Sequence, residues 1–102
     1  MDIELVVVTM AFDAAEDDRL RPLLAKYVVL ARDEPGCRNV DLLASATNPG
    51  RYLIVSKWES PEAQRDHFNS SIMVELAEGC RGLLARPPQI ELLDAISAHD
   101  LK

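Results

Sequence analysis

The sequence predicts one α+β domain, in which helices cover one face of a four-stranded antiparallel sheet. Three observations support this. The chain has 102 residues, the size of one domain. Its periodic segments follow the order strand, helix, strand, strand, split helix, strand, which is the ferredoxin-like β-α-β-β-α-β arrangement. Ala-Thr-Asn-Pro-Gly at 46–50 is a hairpin signal between the second and third strands. We expect this domain to span 1–96, followed by a tail over 97–102.

The first strand and the first helix are predicted from different periodicities. Residues 3–12, IELVVVTMAF, are apolar on both faces, which is typical of a central strand. After a polar entry over 13–18, apolar residues recur at intervals of three and four, which predicts a helix reaching about Asp33. Pro22 lacks an N–H, so it must lie in the first turn or kink this helix. Glu-Pro-Gly at 34–36 ends it.

The rest of the chain supplies three more strands and the split helix. Ser60 before Pro61 predicts a helix start, because serine caps the first turn and proline has no N–H to leave unpaired there. Asn-Ser-Ser at 69–71 breaks the helix, and the second part carries apolar residues on one face as far as Leu84. The predicted strands lie over 37–46, 51–58 and 89–95.

Composition excludes several classes of function. Eleven Lys and Arg against seventeen Asp and Glu give a net charge of -6, and no basic stripe is present, so we expect no nucleic-acid partner. Apolar runs such as that over 5–8 are too short to cross a membrane. The acidic N-terminus does not look like a secretory signal, which predicts a cytoplasmic protein with Cys37 and Cys80 as free, buried thiols.

The third strand also predicts a homodimer. Tyr52, Ile54, Ser56 and Trp58 alternate with Leu53, Val55 and Lys57, so apolar side chains point to both faces of the sheet. If the helices cover one face, the other is left bare in a monomer. Two such faces packed together would cover it.

The run RDEPGCRNVDLLASATNPGRYLIVSKWESPEAQRDHFNSS, over 32–71, resembles the antibiotic biosynthesis monooxygenase family of dimeric α+β barrels. The matching features are EPGC before the second strand and W-E-S-P-E-A leading to H-F-N-S-S. The resemblance implies a sheet-to-sheet dimer with a pocket in each subunit between the sheet and its helices. Some members oxidise quinols or polycyclic phenols with O₂ and without metal or flavin, and others degrade haem.

The resemblance implies a cofactor-independent monooxygenase acting on a small aromatic quinol or polyphenol, with no cofactor and no metal. A deprotonated phenol can reduce O₂ itself, so the protein must supply a dry cavity and a group that takes the proton. We expect His67 to take the proton or pair with the oxyanion, and Trp58 to stack on the substrate and donate its indole N–H. The predicted pocket residues are Tyr27, Ile54, Ser56, Phe68, Met73 and Leu76.

Other interpretations remain open. Trp58 is equally a core filler, and a lone histidine such as His67 is often structural or exposed. Ile54 stands where some oxygenases of the family have an asparagine, and an apolar wall favours a non-catalytic dimeric module that binds a small ligand. A third possibility is an inactive dimer in which Trp58 closes the pocket. The haem-degrading pattern is absent, since the first strand has no Asn and the helix over 71–80 has no His. His99 receives no role.

Overall fold

A computed structural model describes residues 5–98, and within them it contains four strands and three helices. The strands form one antiparallel sheet in the order β2-β3-β1-β4, so the α+β prediction is confirmed, with the split helix present as two helices. His99 and most of the predicted tail fall outside the described residues. The elements are β1 (Val6–Asp13), α1 (Asp17–Arg32), β2 (Cys37–Ala44), β3 (Arg51–Trp58), α2 (Pro61–Phe68), α3 (Ser71–Gly79) and β4 (Gln89–Asp94).

The local signals for the turns and caps are confirmed. The Ser60 hydroxyl accepts a hydrogen bond from the Ala63 N–H at 3.1 Å, and Pro61 is the first residue of α2. Gly50 has a φ of +84° at the end of the hairpin loop, a conformation that glycine adopts without steric cost. These features fix where β3 begins and where α2 begins.

The predicted extent of two elements is wrong. α3 ends at Gly79 rather than at Leu84, because the chain turns at Gly82, where φ is +77°, and the Leu83 carbonyl accepts hydrogen bonds from the loop before α1. β2 ends at Ala44 rather than at residue 46, because the Ser45 side chain accepts from backbone N–H groups of the following turn. α1 ends at Arg32, close to its predicted end, and Pro22 lies beyond its first turn.

The core lies between one face of the sheet and α1. Register places alternate residues of β1 opposite alternate residues of β3, and these eight side chains are all buried. They are Val6, Val8, Met10 and Phe12 of β1 with Trp58, Ser56, Ile54 and Tyr52 of β3. The helix contributes Leu20, Leu24, Tyr27, Val28 and Ala31. Burying so many apolar side chains against each other is the main force holding α1 to the sheet.

The helices leave part of the sheet uncovered. Ile90 and Leu92 of β4 lie on the helix side by register, yet they are 41% and 55% exposed. On the opposite face, Val7, Leu53 and Val55 are only half-buried. The apolar side chains on both faces of β3 are therefore present as predicted, and one set lacks cover in the single chain.

The structure also bears on the cysteines, on membrane-spanning helices and on metal sites. Cys37 and Cys80 are buried thiols that are not joined in a disulfide, as predicted. No helix within residues 5–98 is long and apolar enough to cross a membrane. Over the same residues, no group of three or more His, Cys, Asp and Glu side chains is placed to hold a metal ion.

Candidate functional site

His67 is directed into the protein by the way α2 packs. Gln64 and His67, three residues apart and so on one face of the helix, are its buried residues. His67 is only 7% exposed. The next residue, Phe68, lies about 100° further around the helix and is 45% exposed. The structure therefore brings His67 to the interior and leaves Phe68, a predicted pocket residue, at the surface.

A chain of hydrogen bonds runs through His67. The Tyr27 hydroxyl of α1 lies 2.7 Å from His67 Nε2, and Glu34 Oε1, in the loop after α1, lies 3.4 Å from His67 Nδ1. Because a carboxylate can only accept, we assign the ring proton to Nδ1, which leaves Nε2 to accept from the Tyr27 hydroxyl. The order Tyr27–His67–Glu34 is that of a hydroxyl, a base and an orienting carboxylate.

Trp58 forms the wall of this site. Its indole stacks on the His67 imidazole with ring centroids 4.4 Å apart and planes tilted by 24°. The indole N–H donates to Ser56 Oγ at 2.9 Å, and both residues are buried. The N–H group that we expected to meet a substrate is thus already satisfied by Ser56, and one face of the ring is occupied by His67.

Burial determines the protonation states of His67 and Tyr27. It lowers the pKa of His67 below its ordinary value, although the hydrogen bond and charge of Glu34 oppose the shift. Burial also raises the pKa of Tyr27, with smaller contributions from Cys37 and Glu34. At neutral pH His67 is therefore a neutral acceptor and Tyr27 a neutral phenol.

Two cavities have residues of this site in their walls, and a third adjoins one of them through Leu76. The sheet-side cavity, about 120 Å³, lies between β1, β4 and α3 and is lined by Met10, Met73, Leu76 and other apolar residues. The His67 cleft, about 190 Å³, is lined by Glu34, Pro35, Asp66, His67 and Ser70. The helix groove, about 370 Å³, lies between α1 and α3 and includes Tyr27 and Leu76 in its wall.

Seven of the eight predicted site residues fall into two groups, and the eighth, Phe68, lies at the surface. Tyr27, Ser56, Trp58 and His67 form one connected cluster. Met73 and Leu76 line the sheet-side cavity instead, and Ile54, fully buried, pairs with the cavity residue Met10.

Sequence reasoning missed Glu34. It was interpreted only as part of the helix-ending Glu-Pro-Gly turn, and its partner is 33 residues away. An acid placed directly after a helix that carries a buried tyrosine was the available signal, but the spacing alone does not reveal what that acid faces.

Comparison with known proteins gives a family and a fold. The family model described as antibiotic biosynthesis monooxygenase matches residues 5–82. Among solved structures, Rv0793 from Mycobacterium tuberculosis is 29% identical with a TM-score of 0.85, covering 93% of this chain and 98% of that one. No curated protein matches the sequence.

Two further structures are similar in fold at lower identity. NE2512 from Nitrosomonas europaea, described as a protein of unknown function, is 21% identical with a TM-score of 0.83, covering 95% of this chain and 94% of that one. SnoaB from Streptomyces nogalater, described as a cofactor-independent oxygenase, is 17% identical with a TM-score of 0.82, covering 93% and 96%.

Proposed function

The chain belongs to the antibiotic biosynthesis monooxygenase family, and from this premise we propose that it is a cofactor-independent monooxygenase that oxidises a small aromatic quinol or polyphenol with O₂. The observation that carries the proposal is the buried Tyr27–His67–Glu34 chain packed against Trp58. A cofactor-free oxidation needs a proton acceptor in a dry site, and His67 fits that description. SnoaB, which shares the fold, is described as a cofactor-independent oxygenase.

The proton path uses the two polarised hydrogen bonds of His67. A substrate hydroxyl gives its proton to Tyr27 Oη while Tyr27 gives its own to His67 Nε2, 2.7 Å away. The imidazolium that forms faces the Glu34 carboxylate, which stabilises it. Glu34 is 22% exposed, and with Asp66 it lines the His67 cleft, so the proton can leave to solvent through that cleft.

The substrate itself supplies the electrons that reduce O₂. The deprotonated ring gives one electron to O₂, and the resulting substrate radical and superoxide combine at a ring carbon. Loss of water then leaves one oxygen atom on the product. For a hydroquinone, one O₂ yields one hydroxyquinone and one H₂O, so atoms and electrons balance. The residues of this chain hold the ring, take the phenolic proton and exclude water.

The proposal includes a homodimer in the cytoplasm, formed through the open sheet face. Val7, Leu53 and Val55 lie half-buried on that face, and a second copy would remove them from water. This agrees with the sheet-to-sheet dimer implied by the resemblance to the family.

A second candidate, a module that binds a small ligand without chemistry, is favoured by the sheet-side cavity. Its volume is about 120 Å³, and the residues that line it are apolar. A cavity of about 150 Å³ holds benzene, so a two-ring substrate would need this space to widen. Ile54, which is buried and pairs with the lining residue Met10, offers no polar group to a substrate or to O₂.

Oxygen consumption by the metal-free protein, over a panel of quinols and anthrone-like phenols, tests the two candidates. We expect uptake above autoxidation that falls by about 10²–10⁴-fold in His67→Ala. The matched control is Tyr52→Phe, since Tyr52 bonds Asp17 outside the His67 chain. A ligand that binds without oxygen uptake, and equally well to His67→Ala, would support the binding module instead.

A further inference from the structure

The helix groove adjoins the His67 chain through Tyr27, and it differs from the sheet-side cavity in position and size. It lies between α1 and α3, and its volume of about 370 Å³ is about three times that of the sheet-side cavity, about 120 Å³. Pockets for small molecules start at about 300 Å³. Of these two spaces, the groove alone has room for a ligand of two rings as the structure stands.

Apolar side chains line part of the groove, and the hydrogen-bond partner of the proposed proton acceptor also lies in its wall. Leu23 and Leu30 of α1 face Ile72 and Leu76 of α3 across it. Tyr27 also forms part of the wall, and its hydroxyl bonds His67 Nε2 at 2.7 Å. A ring bound in the groove therefore lies against the first member of the hydrogen-bonded chain.

Leu76 separates the groove from the sheet-side cavity. It lines both spaces and is only 4% exposed. The two spaces are thus distinct in this structure, and a ligand in one does not occupy the other. This separation makes it possible to block them independently.

Charges at the groove limit the kind of ligand. Lys26, Glu75 and Glu78 lie along it, and all three are exposed. Two carboxylates against one ammonium leave an acidic excess, on a chain whose net charge is already -6. Such a surface disfavours carboxylated or sulfonated ligands and accepts neutral ones.

We propose that the helix groove is the substrate site, and that it binds an uncharged phenol or quinol of one or two rings against Tyr27. The role of the groove in turnover rests on the function proposed above, whereas the binding itself does not. Apolar contact with Leu23, Leu30 and Ile72 holds the ring. Tyr27 then links the hydroxyl of the bound phenol to His67. The sheet-side cavity then acts as part of the core.

Binding of 1-naphthol, a two-ring phenol, tests the proposal by calorimetry on the intact chain. Leu30→Trp fills the groove, while Val29→Trp places the same ring on the neighbouring residue, which is 59% exposed and does not line it. Ile90→Trp fills the sheet-side cavity. Circular dichroism confirms that each variant is folded.

We expect Leu30→Trp to weaken 1-naphthol binding by about tenfold or more, with Val29→Trp and Ile90→Trp close to the parent protein. We also expect 1-naphthoate, the matched anion, to bind more weakly than 1-naphthol. Loss of binding in Ile90→Trp but not in Leu30→Trp would overturn the proposal, as would no binding to the parent protein.

Oxygen uptake with 1,4-naphthohydroquinone separates this proposal from the proposed function. Groove binding without oxygen uptake would leave the site in place and remove the oxygenase activity. Oxygen uptake that survives Leu30→Trp but is lost in Ile90→Trp would retain the oxygenase and place its substrate in the sheet-side cavity, against the proposal.

Discussion

Replacing Tyr27 with phenylalanine removes one hydroxyl from the buried chain and leaves the ring in place. The change deletes the 2.7 Å hydrogen bond to His67 Nε2 without opening a large cavity, because the two side chains have nearly the same shape. His67 is 7% exposed, so its Nε2 atom loses its partner where water is scarce. An unpaired buried acceptor costs about 1–3 kcal/mol in the free energy of unfolding. For a domain of this size, that corresponds to a melting temperature lower by about 5–20 °C.

Thermal and urea unfolding, followed by far-ultraviolet circular dichroism, measures this cost. Tyr52→Phe is the matched control, because it also removes a tyrosine hydroxyl that makes a hydrogen bond to another side chain. The Tyr52 hydroxyl donates to Asp17, which is exposed and can bond water instead. We therefore expect a smaller loss of stability in Tyr52→Phe. Equal losses in the two variants, or no loss in Tyr27→Phe, would refute the argument that His67 depends on this hydroxyl.

Three other predictions follow from the structure. Burial lowers the pKa of His67, so its protonation favours the unfolded chain. Urea titrations should show the parent protein losing stability relative to His67→Gln as the pH falls below about 6.5, and a difference that is independent of pH would contradict this. Gly36→Ala should destabilise the protein more than Gly50→Ala in thermal melts. Both glycines have positive φ, +80° and +84°, but only at Gly36 would the new methyl group overlap a side chain of α2. Val55→Glu should shift the proposed dimer to monomer in analytical ultracentrifugation, since it places a charge on the open sheet face; an unchanged oligomeric state would contradict an interface at this face.

Local signals predicted the architecture well because each depends on neighbours in the sequence. The strict alternation over 51–58 predicted β3 with its observed bounds, and Ser60 with Pro61 predicted the start of α2. The apolar periodicity of α3 continued past its true end, because Leu83 and Leu84 are held by contacts with the loop before α1 rather than by the helix. Periodicity cannot distinguish these two reasons for burial.

The site was only partly predictable from the sequence, because its contacts join residues that are far apart along the chain. Helical spacing placed Tyr27 on the apolar stripe of α1, and the family resemblance pointed to His67, but these residues are 40 positions apart, and only the folded structure shows that they bond each other. The role expected for Trp58 depended on a free indole ring, whereas the structure uses one face for His67 and the N–H for Ser56. The position of a cavity near the cluster depends on how several side chains pack together in three dimensions, and this packing cannot be predicted from the sequence pattern.

The position of Trp58 also has a spectroscopic consequence. It is the one tryptophan in the sequence, and its indole is stacked on the His67 ring. A protonated imidazole in contact with an indole quenches its emission by accepting an electron from the excited state, whereas the neutral ring does so much less. The intrinsic fluorescence of the unlabelled protein therefore reports the charge of a single histidine, so that the arrival and departure of its proton can be followed in real time.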